Sequence, residues 1–260
     1  MLCRTKQCTS LGAGIQRGER MTLQAKRGFL PTDASDFSPE SVRKLRQAAE
    51  EIFFLLNRGY LVIPATRFVG DHYQLSERQR LALARTVSPE ASIRARKSRL
   101  VTDISGETLC IDGFNVIIGL EIAFAQSMLF RCMDGTVRDM AGLHGTYRLI
   151  PLTDSAITAL LRTLDALHVA KAVIYLDKPV SNSGRLKERI FSLASDIHFE
   201  LEVQIENQVD TILKTKPLIA SGDAIILDEC DRWFNLADTV IAQQIGAFPY
   251  IDLTEGICGI

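Results

Sequence analysis

The apolar positions of the N-terminal third recur at helical spacing. Ser38 is a favoured N-cap residue, and Pro39 suits the first helical position. The apolar residues that follow lie on one helical face: Val42, Leu45, Ala49, Ile52 and Leu56. The pattern predicts a helix that ends near Gly59, since glycine readily adopts the left-handed conformation that closes a helix.

A second helix is predicted from Ser76. Gln79 stands three residues further on, which is the spacing of a capping box. The helical pattern then runs to about Val87, shortly before Pro89. We therefore expect residues 28–92 to form a small helical module.

From Thr108 onward, short apolar runs alternate with helical patterns. Strands are predicted at residues 108–112, 172–177, 199–205 and 217–221, with an edge strand at 250–253. Helices are predicted between them at residues 116–127, 153–167, 185–194, 209–214 and 233–244. Strands joined through helices require right-handed crossovers and a mainly parallel sheet with helices on both faces. The expected fold of residues 108–260 is thus a three-layer α/β sandwich.

The segments that flank the helical module are basic. Residues 1–27 show no apolar periodicity, so we expect either a disordered tail or a start assigned too early, with Met21 as the alternative start. Residues 93–107 are expected to be a basic linker. Its first seven residues carry four basic charges, which suit either a solvated linker or a contact with a phosphate backbone.

The charge of the chain is unevenly distributed. The net charge of the 260 residues is −1, but residues 1–107 hold 18 Lys and Arg against 11 Asp and Glu, whereas residues 108–260 hold 12 against 20. A basic part beside an acidic part suits a protein that attracts a polyanion and binds divalent cations. Two ordinary surfaces that differ by chance would show the same asymmetry.

The composition excludes some classes of protein. A hydrophobic content of 47% suits one large or two modest domains with cores of their own. No apolar run approaches the roughly 20 residues that a membrane-spanning helix requires, and no secretory signal is evident. The six cysteines lack the spacing of a zinc site, so we expect reduced thiols in a cytoplasmic protein.

Four carboxylates follow predicted strands or begin the helix after one. They are Asp112, Asp177, Asp210 and Asp223. The carboxyl ends of parallel strands share one edge of the sheet, where ligands bind, so acids that are distant in sequence can meet there. Like charges raise each other's pKa values, and a hard divalent cation relieves the repulsion. Taken singly, each acid would equally suit a turn or the start of a helix.

Such a cluster suits Mg²⁺ or Mn²⁺, because both cations prefer oxygen ligands. The cation would bind a phosphate oxygen and lower the pKa of a bound water, which would then attack a phosphodiester. Six neighbouring residues are candidate substrate contacts: Asn115, Arg138, Ser181, Asn182, Ser183 and Ser221. The serine-rich loop would bind phosphate through backbone N–H groups; plain N-capping and surface ion pairs are the alternatives.

The run Asp-Gly-Thr at residues 134–136 raises a further alternative. Together with Gly222, Asp223 and Asp228 it resembles the motifs of the haloacid-dehalogenase phosphatases. Cys132 stands where that family has its nucleophilic aspartate, and the run before it is a poor strand. A phosphatase is therefore the minor alternative.

Three short motifs resemble the PIN-like and NYN nuclease superfamily: Ile111-Asp112-Gly113-Phe114-Asn115, Val209-Asp210 and Ser221-Gly222-Asp223. The resemblance covers residues 108–245. It implies a PIN-like sandwich, acidic ligands for Mg²⁺ or Mn²⁺, and cleavage of RNA or, in flap-nuclease relatives, of DNA. The residues after Asp223 are Ala-Ile-Ile-Leu, where NYN members carry a second aspartate, and this departure leaves the fourth ligand open.

The N-terminal part carries two more motifs, at residues 57–60 (Asn-Arg-Gly-Tyr) and 72–75 (His-Tyr-Gln-Leu). They resemble a helical module found beside such a domain in prokaryotic proteins. Together these observations favour a metal-dependent nuclease that acts on RNA rather than DNA, with the basic module holding the strand. A non-catalytic nucleic-acid-binding or regulatory protein with the same fold is the main alternative. The sequence leaves open whether the chain forms a homodimer.

Overall fold

The computed structural model describes residues 27–141 and 145–257. The tail predicted for residues 1–26 therefore lies outside the described residues. Arg27, the last residue of that predicted tail, has a defined place: its side chain forms an ion pair with Glu121 at 2.6 Å and lies over the ring of Tyr147. The tail prediction does not hold for this residue.

The N-terminal part is helical, with α1 at Asp33–Asp36, α2 at Pro39–Leu56, α3 at Val62–His72, α4 at Glu77–Thr86 and α5 at Glu90–Arg99. α2 and α4 begin where the sequence predicts, since Ser38 caps the first, and Ser76 and Gln79 form a capping box on the second. α3 was not predicted, because it begins after Leu61 without a side-chain cap. α5 corrects the predicted linker: residues 93–99 are helical.

The remaining elements are, in chain order, β1 Thr108–Asp112, α6 Gly113–Phe124, β2 Phe130–Arg131, β3 Val137–Arg138, α7 Pro151–Ala166, β4 Lys171–Asp177, α8 Ser183–Ser192, β5 Glu200–Glu206, α9 Val209–Leu213, β6 Ile219–Ala220, α10 Ala224–Leu227, α11 Leu236–Gln244 and β7 Ile251–Asp252. Four of the strands form a parallel sheet in the order β5-β4-β1-β6. The predicted α/β sandwich with a parallel sheet after a helical region is thus confirmed.

The large sheet separates two apolar layers, because successive side chains of a strand point to opposite faces. Leu109 and Ile111 of β1 belong to the core that includes residues of α6, α7, α8 and α11. Cys110, between them, packs with residues of α9 and α10 and with Trp233 on the opposite face. The sheet is therefore buried on both sides.

A second, smaller sheet links the two parts of the chain. β2 pairs antiparallel with β3 and parallel with β7. β7 falls within the predicted edge strand, but it lies in this sheet and not at the edge of the large one. Phe130 of β2 and Leu253, which follows β7, belong to the same apolar core as residues of α2, α3 and α4. The N-terminal helices therefore share their core with the α/β part.

α6 begins against the large sheet with very little clearance. Its first residue is Gly113, directly after Asp112. A Cβ atom at position 113 would lie 2.6 Å from Leu176 Cδ2 and 2.8 Å from the backbone carbonyl oxygen of Tyr175. A strand carbonyl within a sheet cannot shift without breaking its ladder hydrogen bonds. Glycine is therefore the only residue that fits this position without strain.

Replacing Gly113 with Ala should destabilise the fold. Overpacking of this kind costs about 1–3 kcal/mol, which urea unfolding would measure. Gly119→Ala is a matched control in the same helix, because a Cβ atom at position 119 would meet no atom within 4 Å. Alanine also favours a helix over glycine by about 1 kcal/mol, so this control should equal or exceed wild-type stability. Equal stability of the two variants would contradict the close packing at Gly113.

Candidate active site

The carboxyl ends of the large sheet form the edge on which the predicted acids lie. The strands occur along the chain as β1, β4, β5 and β6, but the sheet order is β5-β4-β1-β6. The order therefore reverses between β1 and β6, and open α/β sheets form their ligand crevice at such a switch point. Asp112 ends β1, and the turn at residues 221–223 follows β6 directly.

Asp112 is buried, with 6% of its surface exposed. Its Oδ1 accepts the N–H of Asn115 at 3.3 Å, so that it caps α6, and its Oδ2 accepts the hydroxyl of Ser221 at 2.9 Å. Burial is the main reason that the pKa of Asp112 rises to about 7. The two hydrogen bonds lower this pKa in part, while the charges of Asp210 and Asp177 raise it further.

The turn at residues 221–223 is tied to the same carboxylate. Gly222 donates its N–H to Asn115 Oδ1 at 2.7 Å, and Asp223 donates its N–H to Ser221 Oγ at 3.1 Å. Asp223 Oδ1 in turn accepts the N–H of Ile225 at 2.7 Å and caps α10. Asn115 and Ser221, both predicted as substrate contacts, thus link β1 to the turn that carries Asp223.

Asp177 and Asp210 complete the group. Asp177 ends β4, and the backbone of Val209, the residue before Asp210, lies close enough to the Asp177 carboxylate to lower its pKa. Burial raises the pKa values of Asp177 and Asp210; the charge of Asp210 raises that of Asp177 further, and the charge of Asp223 does the same for Asp210. Asp210 therefore interacts with all three other predicted ligands, and we call these four residues the carboxylate cluster.

The donor set of the carboxylate cluster fits a hard cation, because every ligand atom would be a carboxylate oxygen. Across residues 27–141 and 145–257, however, no three acids, histidines or cysteines lie close enough together to hold one metal ion. Mg²⁺ usually keeps several water ligands and takes only one or two carboxylates from the protein. The predicted site made of all four acids therefore does not fit this arrangement, and a cation held here would take fewer than three of them as ligands.

The predicted phosphate loop at residues 181–183 has a different role. Ser181 Oγ accepts the N–H of Tyr147 at 3.0 Å and donates to its carbonyl at 3.1 Å. Asn182 Nδ2 donates to the same carbonyl at 2.6 Å, the N–H of Ser181 donates to the carbonyl of Gly145 at 3.0 Å, and Ser183 is buried. The contacts of Ser181 and Asn182 hold the segment before α7, so these side chains and the N–H of Ser181 are not free for a phosphate. A phosphate contact through the N–H groups of Asn182 and Ser183 stays a prediction.

Arg138, also predicted to contact substrate, is occupied by protein acceptors. Its Nε donates to the carbonyl of Gly222 at 2.6 Å, its Nη2 donates to Asp134 at 2.7 Å, and its Nη1 donates to the carbonyl of Arg85. Three of the five N–H donors of the guanidinium are thus used within the protein, and burial of the side chain restricts access to the other two. We therefore assign Arg138 a positioning role: it holds the 221–223 turn against the helical module.

A buried ion network extends from Arg138 into α5. Asp134 also accepts from Arg96 Nη1 at 2.8 Å, and Arg96 Nε donates to Asp228 at 2.7 Å. Arg96 belongs to the segment predicted as an exposed linker, yet it is only 3% exposed. The same network argues against phosphatase chemistry, because the Asp134 carboxylate of the Asp-Gly-Thr run is buried against two arginines and Thr136 and is not free to act on a substrate.

A cleft of about 250 Å³ lies beside the 221–223 turn. Its lining comes from distant parts of the chain: α4 supplies Arg85, α6 supplies Asn115 and Gly119, and the turn supplies Asp223. The sequence did not predict this cleft, because no local pattern marks Arg85 or Gly119 as neighbours. We call it the α4–α6 cleft.

The metal-free protein should lose stability as the pH rises towards neutrality. The pKa of Asp112 is about 7 in the folded protein against an ordinary value of 3.8. Between these values the folded state holds a proton that the unfolded state has released, so the free energy of unfolding falls as the pH rises. Since one pKa unit corresponds to about 1.4 kcal/mol, the loss is about 4 kcal/mol at most.

Asp112→Asn removes this titration. In EDTA, its free energy of unfolding should change less with pH than that of the wild type, so the variant gains relative stability above neutrality. Asp231→Asn, at an exposed acid outside the cluster, should follow the wild-type curve. Parallel curves for wild type and Asp112→Asn would contradict the raised pKa of Asp112.

Comparison with known proteins places the chain in a family. The sequence model of the family described as "Domain of unknown function (DUF5616)" matches residues 101–239. The family model described as "Protein of unknown function (DUF434)" matches residues 44–99. "Uncharacterized protein MJ0935" of Methanocaldococcus jannaschii is 37% identical over 185 residues, which make up 70% of this chain and 88% of that protein. No solved structure matches. Because the first match spans more than half of the sequence, the chain belongs to the DUF5616 family.

Proposed function

We propose that the chain is a divalent-metal-dependent nuclease that hydrolyses phosphodiester bonds, with RNA as the favoured substrate. The observation that carries this proposal is the group of coupled carboxylates at the point where the strand order reverses. Coupled carboxylates destabilise one another unless a cation neutralises them. The resemblance of the three motifs to PIN-like nucleases supports the same chemistry.

When bound, Mg²⁺ or Mn²⁺ supplies a Lewis acid for a phosphate oxygen and lowers the pKa of a water ligand. Asp112 would hold the cation from β1, with its carboxylate oriented by Ser221 and by the N–H of Asn115. Asp210 is the best second ligand, because its charge already acts on the Asp112 carboxylate. Asp177 and Asp223 would accept hydrogen bonds from the water molecules that complete the coordination.

The exposed basic residues of α5 support a polyanionic ligand. Two other basic residues of this predicted phosphate contact bind groups of the protein itself. In α5, Arg96 is buried and Arg99 donates to the carbonyl of Asp228. Arg94 and Lys97 remain exposed on this helix. Contacts of this kind strengthen binding without reading sequence, so α5 would contribute affinity and no sequence preference.

A second candidate function is favoured by one observation. Among the described residues, no three metal-ligating side chains lie close enough together to hold one ion. This suits a nucleic-acid-binding protein that keeps the fold and the acids but does not cleave. Under this alternative the carboxylate cluster would contact the bound strand only through loosely held cations.

We propose a cytoplasmic setting. Cys110, Cys132 and Cys230, the cysteines within the described ranges, are buried free thiols, as expected in a reducing compartment. Among the described residues no helix is both long and apolar enough to cross a membrane.

Cleavage should depend on the carboxylate cluster. With Mn²⁺ and a labelled single-stranded RNA, we expect the wild type to cleave, and Asp112→Asn and Asp210→Asn to lose at least about 100-fold in rate, since metal stabilisation of a phosphoryl oxygen supplies several kcal/mol. Denaturing gels would measure the rates. Asp231→Asn is the matched control and should cleave like the wild type.

Two results would argue against hydrolysis by this cluster. Undiminished cleavage by Asp112→Asn would refute its assignment as a ligand. Tight binding of the RNA by the wild type, without cleavage in either Mg²⁺ or Mn²⁺, would favour the non-catalytic alternative.

Metal binding should also be visible without any substrate. A ligand at 100 times its dissociation constant stabilises a folded protein by about 2.7 kcal/mol, so saturating Mn²⁺ at slightly alkaline pH should raise the melting temperature of the wild type. The increase should be largely lost in Asp210→Asn and retained in Asp231→Asn. A wild-type melting temperature that does not respond to Mn²⁺ or Mg²⁺ would contradict the proposed metal site.

A further inference from the structure

We infer that the α4–α6 cleft binds a single nucleobase of the strand whose backbone lies at the carboxylate cluster. The inference rests on the proposed function, in that it takes a nucleic acid as the ligand. It adds a subsite that neither the motifs nor the family match assigns.

The size of the cleft favours one ring system. Its volume of about 250 Å³ lies below the range of about 300–1,000 Å³ that is typical for drug-sized ligands and cofactors. Gly119 forms part of the wall: it is buried, yet a Cβ atom there would meet no atom within 4 Å. The space in front of this helical glycine is therefore open to a ligand and not filled by protein.

The lining has an apolar wall and a polar edge. Val137 and Ile241 stand with Gly119 on the apolar side. On the polar side, Asn115 uses its Oδ1 to accept from Gly222, while its Nδ2 donates to none of the described residues. Asp223 likewise uses Oδ1 for the N–H of Ile225 and leaves Oδ2 without a described partner. An amide donor beside a carboxylate acceptor matches the edge of a base, which carries donors and acceptors side by side.

The charged groups of the lining balance, so the cleft has no net attraction for a phosphate. Asp139 and Asp223 bring two carboxylates, and the Arg138 guanidinium is already bound to Gly222, Asp134 and Arg85. Arg85 supplies the other guanidinium, and it donates to the carbonyl of Asp139. A planar group without net charge suits this lining better than an anion does.

The position of the cleft connects it with the proposed chemistry. Asp223 belongs both to the carboxylate cluster and to the lining of the cleft, so a base in the cleft would fix an adjacent phosphodiester near the acids. α4 contributes Ala84 and Arg85 to the lining. The helical module would therefore help to select the nucleotide as well as attract the strand.

The test compares a short fluorescein-labelled single-stranded RNA with a base-free ribose-phosphate oligomer of equal length. Binding is followed by fluorescence anisotropy in Ca²⁺, an oxygen-ligated cation, with the RNA checked for intactness. Hydrogen bonds from Asn115 and Asp223 to the edge of one base should make the wild type bind the complete RNA roughly 5- to 150-fold more tightly than the base-free oligomer.

Gly119→Leu fills the cleft and keeps a good helix former in α6. Its preference for the complete RNA should fall to nearly nothing, while its affinity for the base-free oligomer stays at the wild-type value. Ala91→Leu adds a similar side chain to an exposed position of α5 and should retain the wild-type preference. If the leucine variant does not fold, Gly119→Ala replaces it in the test, because alanine adds only a methyl group to the cleft. The alanine variant should show a reduced preference for the complete RNA.

The inference is overturned if the wild type binds both oligomers equally, or if folded Gly119→Leu keeps the full preference. These results are separate from the test of hydrolysis. Cleavage that depends on Asp112, without any preference for bases, would refute the subsite and leave the nuclease intact. A preference that Gly119→Leu abolishes, in a protein that never cleaves, would support the subsite and refute the hydrolysis.

Discussion

A carboxylate buried at the end of a central strand must be hydrogen-bonded or neutralised, because an isolated buried charge is costly. Asp112 meets this constraint through the hydroxyl of Ser221 and the N–H of Asn115. The first bond brings the turn after β6 to the end of β1, and the second starts α6 on the glycine that follows. The close approach at Gly113, the switch point and the turn that carries Asp223 all adjoin this one group.

The same edge is linked to the N-terminal helices by buried charges. Arg138 joins the carbonyl of Gly222 to Asp134, and Asp134 joins Arg138 to Arg96 of α5. Buried ion pairs of this kind often add little net stability, because the cost of desolvation offsets their attraction. Removing one partner by mutation, however, leaves the other charge buried and uncompensated. We interpret the network as a device that fixes the relative position of the helices and the turn, and so shapes the α4–α6 cleft between them.

The sequence predicted the features that have local causes. Capping serines located α2 and α4, and apolar runs that end in aspartate located β1 and β4. The features it missed depend on distant partners. α3 starts without a side-chain cap, the basic charges of α5 concealed a buried Arg96, and nothing near Arg138 indicated that its donors bind Gly222, Asp134 and Arg85. Ser181 and Asn182 looked like part of a phosphate loop because the Tyr147 segment that they bind is remote in sequence.

The central claim is that a divalent cation binds between acids of the carboxylate cluster, and anomalous diffraction from a Mn²⁺-soaked crystal tests it most directly. We predict a peak at the carboxyl edge of the large sheet, within roughly 2.0–2.6 Å of carboxylate oxygens of Asp112 and Asp210. Water molecules should complete the coordination. Full Mn²⁺ occupancy elsewhere on the protein, with no peak beside Asp112, would contradict the claim.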